Sequence, residues 1–360
     1  MTKLSIIVPV YNVEEYIRPC IESIFRQGLD DSDFEVIIVN DGTQDRSMEV
    51  IADIISQHHN ITIINQENQG LSVARNNGIA VAKGEYILMP DSDDLLIENH
   101  LKPLLEKALE TNVDLVLADF FEMNNEEIKS FKFSSLIFTD FEVKEKSGEE
   151  MFFEYLRPNM YTVWRTLWKK DFLLLHQLNF VPGIYGQDKV FVHNAYLKAT
   201  KCLVILWPFY IYRRHKESIS ISMTERYAKD YCIVVTKIWE LSFLYELSQK
   251  QKEKMQDYAF QAFSTMVCRL VHEMKNYNEM TNIIDYFNII APHVSFQHNL
   301  KQKTITTFVK KIPHIYILIR FLYGIICEDK ILPFLTHHIR YVTIQRLRIP
   351  KFAKPKTGHG

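Results

Sequence analysis

The first hundred residues alternate between short apolar runs and stretches of helical periodicity. Leu4–Val10 is a β-rich run that ends at Tyr11-Asn12. Apolar residues then recur at Val13, Tyr16, Ile17, Cys20, Ile21, Ile24 and Phe25, a spacing that predicts an amphipathic helix with one buried face. A second strand is predicted over Phe34–Val39, and a second helix from Ser47 to about Ile55. A third strand, Ile61–Ile64, leads through Gln69-Gly70 into a third helix. The fourth apolar run, Tyr86–Met89, meets Pro90 and then Asp91, Ser92, Asp93 and Asp94. Strand and helix alternating with short connections predict an α/β fold, a Rossmann-like, mostly parallel sheet flanked by helices. Ligands of such sheets bind outside the carboxyl ends of the strands. Tyr11, Asp41 and the aspartate cluster all fall at such ends.

The aspartates suggest a chemistry. Mg²⁺ and Mn²⁺ prefer oxygen ligands and usually take one or two carboxylates together with substrate phosphates. Asp91 and Asp93 stand two apart, so in extended geometry they point to one side. The segment taken alone reads equally well as a polar loop in which an aspartate starts the next helix. Three polar strand exits converging on one edge favour a ligand site over capping.

Four segments, VPVYNVEEYI, VNDGTQDRS, NQGLSVARNNGI and GEYILMPDSDD, stand in an order and spacing that resembles the family 2 glycosyltransferases of the GT-A fold, of the bacterial polysaccharide-synthesis type. The motifs cover roughly residues 1–95, and weaker likeness continues to about residue 222. The resemblance implies a nucleotide-sugar half (1–95) and an acceptor half (96–222). It implies that Pro9, Val10 and Tyr11 lie against the nucleotide base, that Asp41 reads the base edge, and that Arg75 approaches the donor. Asn40 stands where the family more often has an aspartate. Asp91-Ser92-Asp93 takes the place of the metal-binding Asp-x-Asp, with Asp93 the direct ligand of Mn²⁺ or Mg²⁺ and Asp91 nearer the donor sugar. Read without the family, Arg75 is a surface cation on a helix and Asp41 a helix cap.

Glycosyl transfer needs a base for the acceptor hydroxyl and positive charge on the departing diphosphate. GIYGQDKVFVH (183–193) is similar to the family segment that carries this base, which implies Asp188. Its neighbour, usually Glu, is Gln187 here, which removes one negative charge beside the base. The bland reading makes Asp188 the cap of the following helix. The segment from Thr162 to Lys169 resembles the aromatic strand of the acceptor side, where Trp164 and Trp168 would form a stacking platform with Gln187 nearby; buried core is the commoner use of tryptophan. Tyr212 to Ser220 resembles the loop that folds over the diphosphate, making Arg213 a phosphate contact and His215 a metal ligand; a plain basic loop is the alternative.

Composition adds bounds. The 360 residues exceed one compact domain, and 47% apolar with 24% charged is ordinary for a globular chain. Five scattered cysteines without C-x-x-C spacing argue against a disulfide framework or zinc site and fit a reducing compartment. Pro9 interrupts the first apolar run too early for a signal-peptide core. Residues 223–349 read as a mainly helical C-terminal region and 350–360 as a disordered tail. The net charge of −2 hides an asymmetry: residues 301–360 carry +10 and residues 1–300 carry −12. The run from Ile312 to Cys327 is too short to span a bilayer, so it lies in a membrane interface or packs as a core helix. Nucleic acid is disfavoured, because no recognition motif accompanies the charge.

These readings converge on a metal-dependent, inverting hexosyl- or N-acetylhexosaminyl-transferase. The expected donor is a UDP-sugar and the expected acceptor a glycan or lipid-linked hydroxyl. The expected place is the cytoplasmic side, at the inner face of the cell membrane, in cell-surface polysaccharide synthesis. Two rivals come from other classes: a non-catalytic nucleotide-sugar-binding module and a membrane-associated interaction protein.

Overall fold

The computed structural model describes residues 2–131, 142–156, 161–215, 224–244, 247–273 and 277–296. The predicted alternation is present. Strand β1 (Leu4–Val10) leads to helix α1 (Ile17–Ile24), β2 (Phe34–Asn40) to α2 (Ala52–Gln57), and β3 (Ile61–Asn65) to α3 (Leu71–Val81). Then come β4 (Tyr86–Leu88), β5 (Leu95–Leu96), α4 (Leu101–Thr111), β6 (Leu115–Asn124) and α5 (Asn125–Ser130). Strand β7 (Val143–Lys146) precedes a short α6 (Gly148–Glu150) that runs into a π-turn over Met151–Tyr155. The domain continues through β8 (Thr166–Lys169), α7 (Lys170–Leu175), α8 (Gln187–Lys198) and β9 (Cys202–Arg214).

The strands form one mixed sheet in the order β3-β2-β1-β4-β8-β6-β9-β5, with β7 paired to β9. β1 to β4 are mutually parallel, and β8 reverses direction between β4 and β6. β6 and β9 run parallel to each other and, through that reversal, in the sense of β4. The carboxyl ends of β1, β2, β3, β4, β6 and β9 therefore share one edge.

β1 is buried along its whole length, as a central parallel strand covered on both faces must be. Its side chains alternate between two cores: Leu4, Ile6, Val8 and Val10 face α1 and α4, while Ile7 faces α3 and the helices beyond. Helix α3 lies so close to β1 that a Cβ on Gly78 would stand 2.3 Å from Ile7 Cγ2. Alanine is the better helix former by about 1 kcal/mol, but Ile7 is a stiff, fully buried residue and cannot withdraw. Gly78→Ala is therefore expected to destabilise the protein by about 1–3 kcal/mol, read from a shift in the urea midpoint.

The first two helices begin later than their apolar spacing predicts. Val13 N–H donates to Ser47 Oγ at 2.9 Å and Glu14 N–H to the Asp45 carboxylate at 2.9 Å. Asp45 also accepts from Ser47 N–H and from the Thr43 and Ser47 hydroxyls. These side-chain bonds hold the backbone in turns and so compete with the first helical turns.

Helices α9 (Glu225–Leu244), α10 (Gln249–Glu273) and α11 (Tyr277–Ile290) form the C-terminal part of the described chain. Tyr231, Val235, Phe263 and Phe287 belong to the same apolar core as Phe191 of α8 and Trp168 of β8. Among the described residues no helix is long and apolar enough to cross a membrane. The basic segment 301–349, with its expected interfacial run, and the tail 350–360 lie outside the described residues.

Candidate active site

The edge is built from strand exits. β2 ends at Asn40, whose Nδ2 donates to Asn65 Oδ1 at 2.9 Å across the end of β3 and whose Oδ1 accepts from Thr43 N–H at 3.0 Å. An aspartate there could accept but not donate, so the asparagine is matched to Asn65. Asp41 follows, 3% exposed. Its carboxylate accepts from Gln66 Nε2 at 2.7 Å and from the backbone N–H groups of Gln69 and Gly70, each at 2.8 Å. Gly70 has φ +86°, a conformation that favours glycine, and stands at the start of α3. Asp41 thus fixes the loop that launches the third helix, and three of its roughly four lone-pair sites are occupied. At the end of β1, Tyr11 is 45% exposed and open to a ligand, whereas Pro9 and Val10 are buried in the sheet. Of the three expected base contacts, only the tyrosine side chain is available.

Helix α3 explains the run Ala74 to Asn77. Ala74 is fully buried. Asn76 forms paired hydrogen bonds with the backbone of Phe180, both at 2.9 Å. Asn77 Nδ2 holds Gln66 Oε1 at 2.7 Å, and Gln66 in turn holds Asp41. Arg75 is not a surface cation. Its side chain is 1% exposed, with Nη2 2.6 Å from Asp91 Oδ1 and Nη1 2.7 Å from Asp188 Oδ1. The guanidinium lies over the Phe180 ring, 5.2 Å from the centroid. The expectation of a direct donor contact is corrected: both ends of the fork are taken by carboxylates, so Arg75 positions the residues that face the ligand.

β4 delivers the aspartates into a tight turn closed by Asp94 N–H to Asp91 carbonyl at 3.2 Å, with Ser92 buried within it. Asp94 is 1% exposed; it accepts from Tyr210 Oη and from Arg213 N–H, each at 2.7 Å. Tyr210 Oη also accepts from Asp91 N–H at 3.0 Å. Asp94 therefore anchors the turn to β9. Arg213 does the same from its side chain, with Nε to Asp93 carbonyl at 2.8 Å and Nη1 to Asn125 Oδ1 at 2.7 Å. It is nearly buried, with Nε committed to the turn and Nη1 to Asn125. Asp91 and Asp93 remain partly exposed, at 28% and 27% of their side chains. His215 Nε2 lies 2.8 Å from Asp93 Oδ2, its ring packs on Tyr16 at 4.5 Å, and its buried Nδ1 has no partner among the described residues.

This donor set fits a hard divalent cation. Ligand oxygens of Asp91, Asp93 and Asp94 all lie within 4.8 Å of one another. Asp94 already has both oxygens engaged, which leaves Asp91 and Asp93, with His215 alongside. Burial pushes Asp91 up to about 7, against the pull of Arg75 and with the help of Asp93 and Asp188. Burial and the Asp93 and Asp91 charges hold Asp94 well above the usual carboxylate range.

Asp188 lies in the first turn of α8, 19% exposed, and accepts from Val163 N–H at 3.4 Å as well as from Arg75. Gln187, beside it, is buried. Trp168 is fully buried, with its Nε1–H donating to Val163 carbonyl at 3.2 Å, and Trp164 stacks against Tyr210 and Tyr212. The expected acceptor platform of Trp164, Trp168 and Gln187 is thus corrected: all three side chains lie in the interior. Tyr210, Phe180 and Asn125 were not singled out by sequence; the aromatic-rich strand Phe209–Tyr212 was the one signal pointing to Tyr210.

A mostly parallel sheet with an Asp-x-Asp turn at the exit of its fourth strand defines a GT-A-type domain. Residues 5–163 match the model of Glycosyl transferase family 2, and this stretch is similar to the domain that defines that family. Glycosyltransferase GlyA of Streptococcus pneumoniae is 31% identical over 231 residues, 62% of this chain and 32% of GlyA. The uncharacterized glycosyltransferase EpsJ of Bacillus subtilis is 33% identical over 218 residues, 60% of this chain and 62% of EpsJ. The match thus spans less than two thirds of either relative. Residues 1–349 of S. aureus TarS share the fold with a TM-score of 0.66 at 19% identity, over 89% of this chain and 91% of that one.

Proposed function

We propose that this protein transfers a sugar from a nucleotide-diphosphate donor to a hydroxyl of a glycan or lipid-linked acceptor, with inversion at the anomeric carbon. The observation that carries the reading is the Arg75 fork, which ties Asp188 to Asp91 on the ligand edge of the sheet. In a single displacement the acceptor oxygen attacks the anomeric carbon as the bond to the diphosphate breaks. Asp188 takes the hydroxyl proton, and the departing diphosphate keeps the electron pair. Asp93 and Asp91, with His215 beside them, would hold Mn²⁺ or Mg²⁺, which supplies positive charge to the leaving group. Tyr11 offers its exposed ring to the base, and Asp41 keeps the adjoining loop in shape. TarS was solved in complex with UDP-GlcNAc, which makes UDP-sugars the first donors to test. The relatives include a poly(ribitol-phosphate) beta-glucosyltransferase, in keeping with a role in cell-surface polymers at the inner membrane face.

The test is hydrolysis of a panel of UDP- and GDP-sugars with and without Mn²⁺, comparing wild type with Asp93→Ala. Cation-dependent turnover of one donor, lost in the variant, is the expected result. Donor binding with no turnover, even with glycan acceptors added, would leave a binding module instead.

A further inference from the structure

A cavity lies away from the aspartates. It measures about 490 Å³ and sits between the π-turn and α10, lined by Phe153, Glu154, Tyr155, Lys254, Tyr258 and Gln261 among others. Its volume falls in the range of small-molecule sites. Lys254, Tyr258 and Gln261 stand at i, i+4 and i+7, so they present one face of α10. Tyr258 is 2% exposed and forms the floor, its hydroxyl donating to Phe152 carbonyl at 2.9 Å. Gln261 Oε1 is shielded from solvent and accepts no hydrogen bond among the described residues. A buried acceptor of this kind carries a desolvation cost, which a ligand donor removes once the Gln261 amide turns toward the cavity.

Two of its lining residues reach toward α8. Tyr258 and Gln261 also line a narrow cleft with Tyr161, Lys189 and Tyr231. Lys189 follows Asp188 directly, and its ammonium lies 5.8 Å from the Tyr161 ring and 5.3 Å from that of Tyr231. The cleft, about 10 Å³, admits no sugar ring, so a reacting hydroxyl cannot sit there. The cavity is a remote station on the Asp188 side.

The geometry points to a saccharide subsite in this cavity that holds part of the acceptor glycan away from the reacting end. The reading rests on the transferase function proposed above. Aromatic walls suit the C–H face of a pyranose, and Gln261, Lys254 and Glu154 suit its hydroxyls. Lys254 and Lys250, whose ammonium lies 4.6 Å from the Phe153 ring, add positive charge that suits an acidic sugar, while Lys146 holds Glu154 at 3.0 Å. An acyl chain would leave Gln261 Oε1 unpaired.

Saturation-transfer NMR with the full chain tests this, using the methyl glycosides of glucose, galactose, N-acetylglucosamine and rhamnose, in parallel with donor hydrolysis. One or more glycosides should bind the wild type. Gln261→Leu, near in size, and Lys254→Ala should each weaken that binding by roughly five- to tenfold, the worth of about one hydrogen bond. Donor hydrolysis in water should be unchanged in both. Absence of glycoside binding to the wild type, or binding that neither variant alters, overturns the subsite. Glycoside binding that the variants weaken, in a protein that turns over no donor even with glycan acceptors added, upholds a saccharide site and sinks the transferase reading.

Discussion

Asp188→Asn is expected to lower sugar transfer by about 10²–10⁴-fold, the usual contribution of a positioned base, while leaving the melting temperature within a few degrees of wild type. The amide is the same size, and its one oxygen can still accept from Arg75 Nη1 at the Oδ1 position; only the long 3.4 Å contact from Val163 N–H, which uses the other oxygen, is lost. What it cannot do is take a proton from an acceptor. A residue that merely capped α8 would show the reverse pattern, with stability falling and turnover per folded molecule intact. Steady-state kinetics and thermal unfolding on one preparation separate the two. KM for the donor should hardly move, because Asp188 faces the acceptor in this scheme.

Arg75→Met is expected to have the largest effect on stability, a loss of about 3–5 kcal/mol, because breaking a buried ion pair leaves charge without compensation. Here two carboxylates lose their partner at once. Arg75→Lys should recover only part of the loss, since one ammonium cannot reproduce two diverging N–H contacts of 2.6 and 2.7 Å. The deficit has a defined pH dependence. Arg75 lowers the Asp91 pKa, so its removal raises that pKa further above the unfolded value. A carboxyl raised in the folded state favours folding while it is protonated and loses that contribution as pH rises through the folded pKa. The variant should therefore be weakest near pH 8 and recover toward pH 5. Urea unfolding at both values checks the sign; a deficit that grows on acidification would show that Arg75 does not hold these carboxylates.

The frame of the molecule was readable because β1 and β2 are covered on both faces and must be continuous apolar runs, and because the aspartates follow the fourth run directly. Other features depend on contacts between distant residues. Nothing in the local pattern around Arg75 shows that its partners stand 16 and 113 residues away. Apolar spacing put the second helix at Ser47, but Asp45 collects local donors there and delays it until Ala52. Trp164 and Trp168 resemble a sugar platform by position although tryptophan is more often core, and the packing of Tyr210, Tyr212 and Phe191 against them decides for core. Local sequence separates Asp91 and Asp93, two apart, from Asp94 but does not show what Asp94 holds. Tyr210 and Arg213 single out Asp94 as the one turned inward.

The apolar core shared by α8, β8 and the three C-terminal helices couples the melting of the two parts among the described residues. Phe191, Tyr231 and Phe263 lie in a single cluster, so neither part can melt without exposing the other. A backbone cut between Arg214 and Glu225 would sever the chain yet leave its pieces joined, held by the same interior that surrounds the helix carrying Asp188.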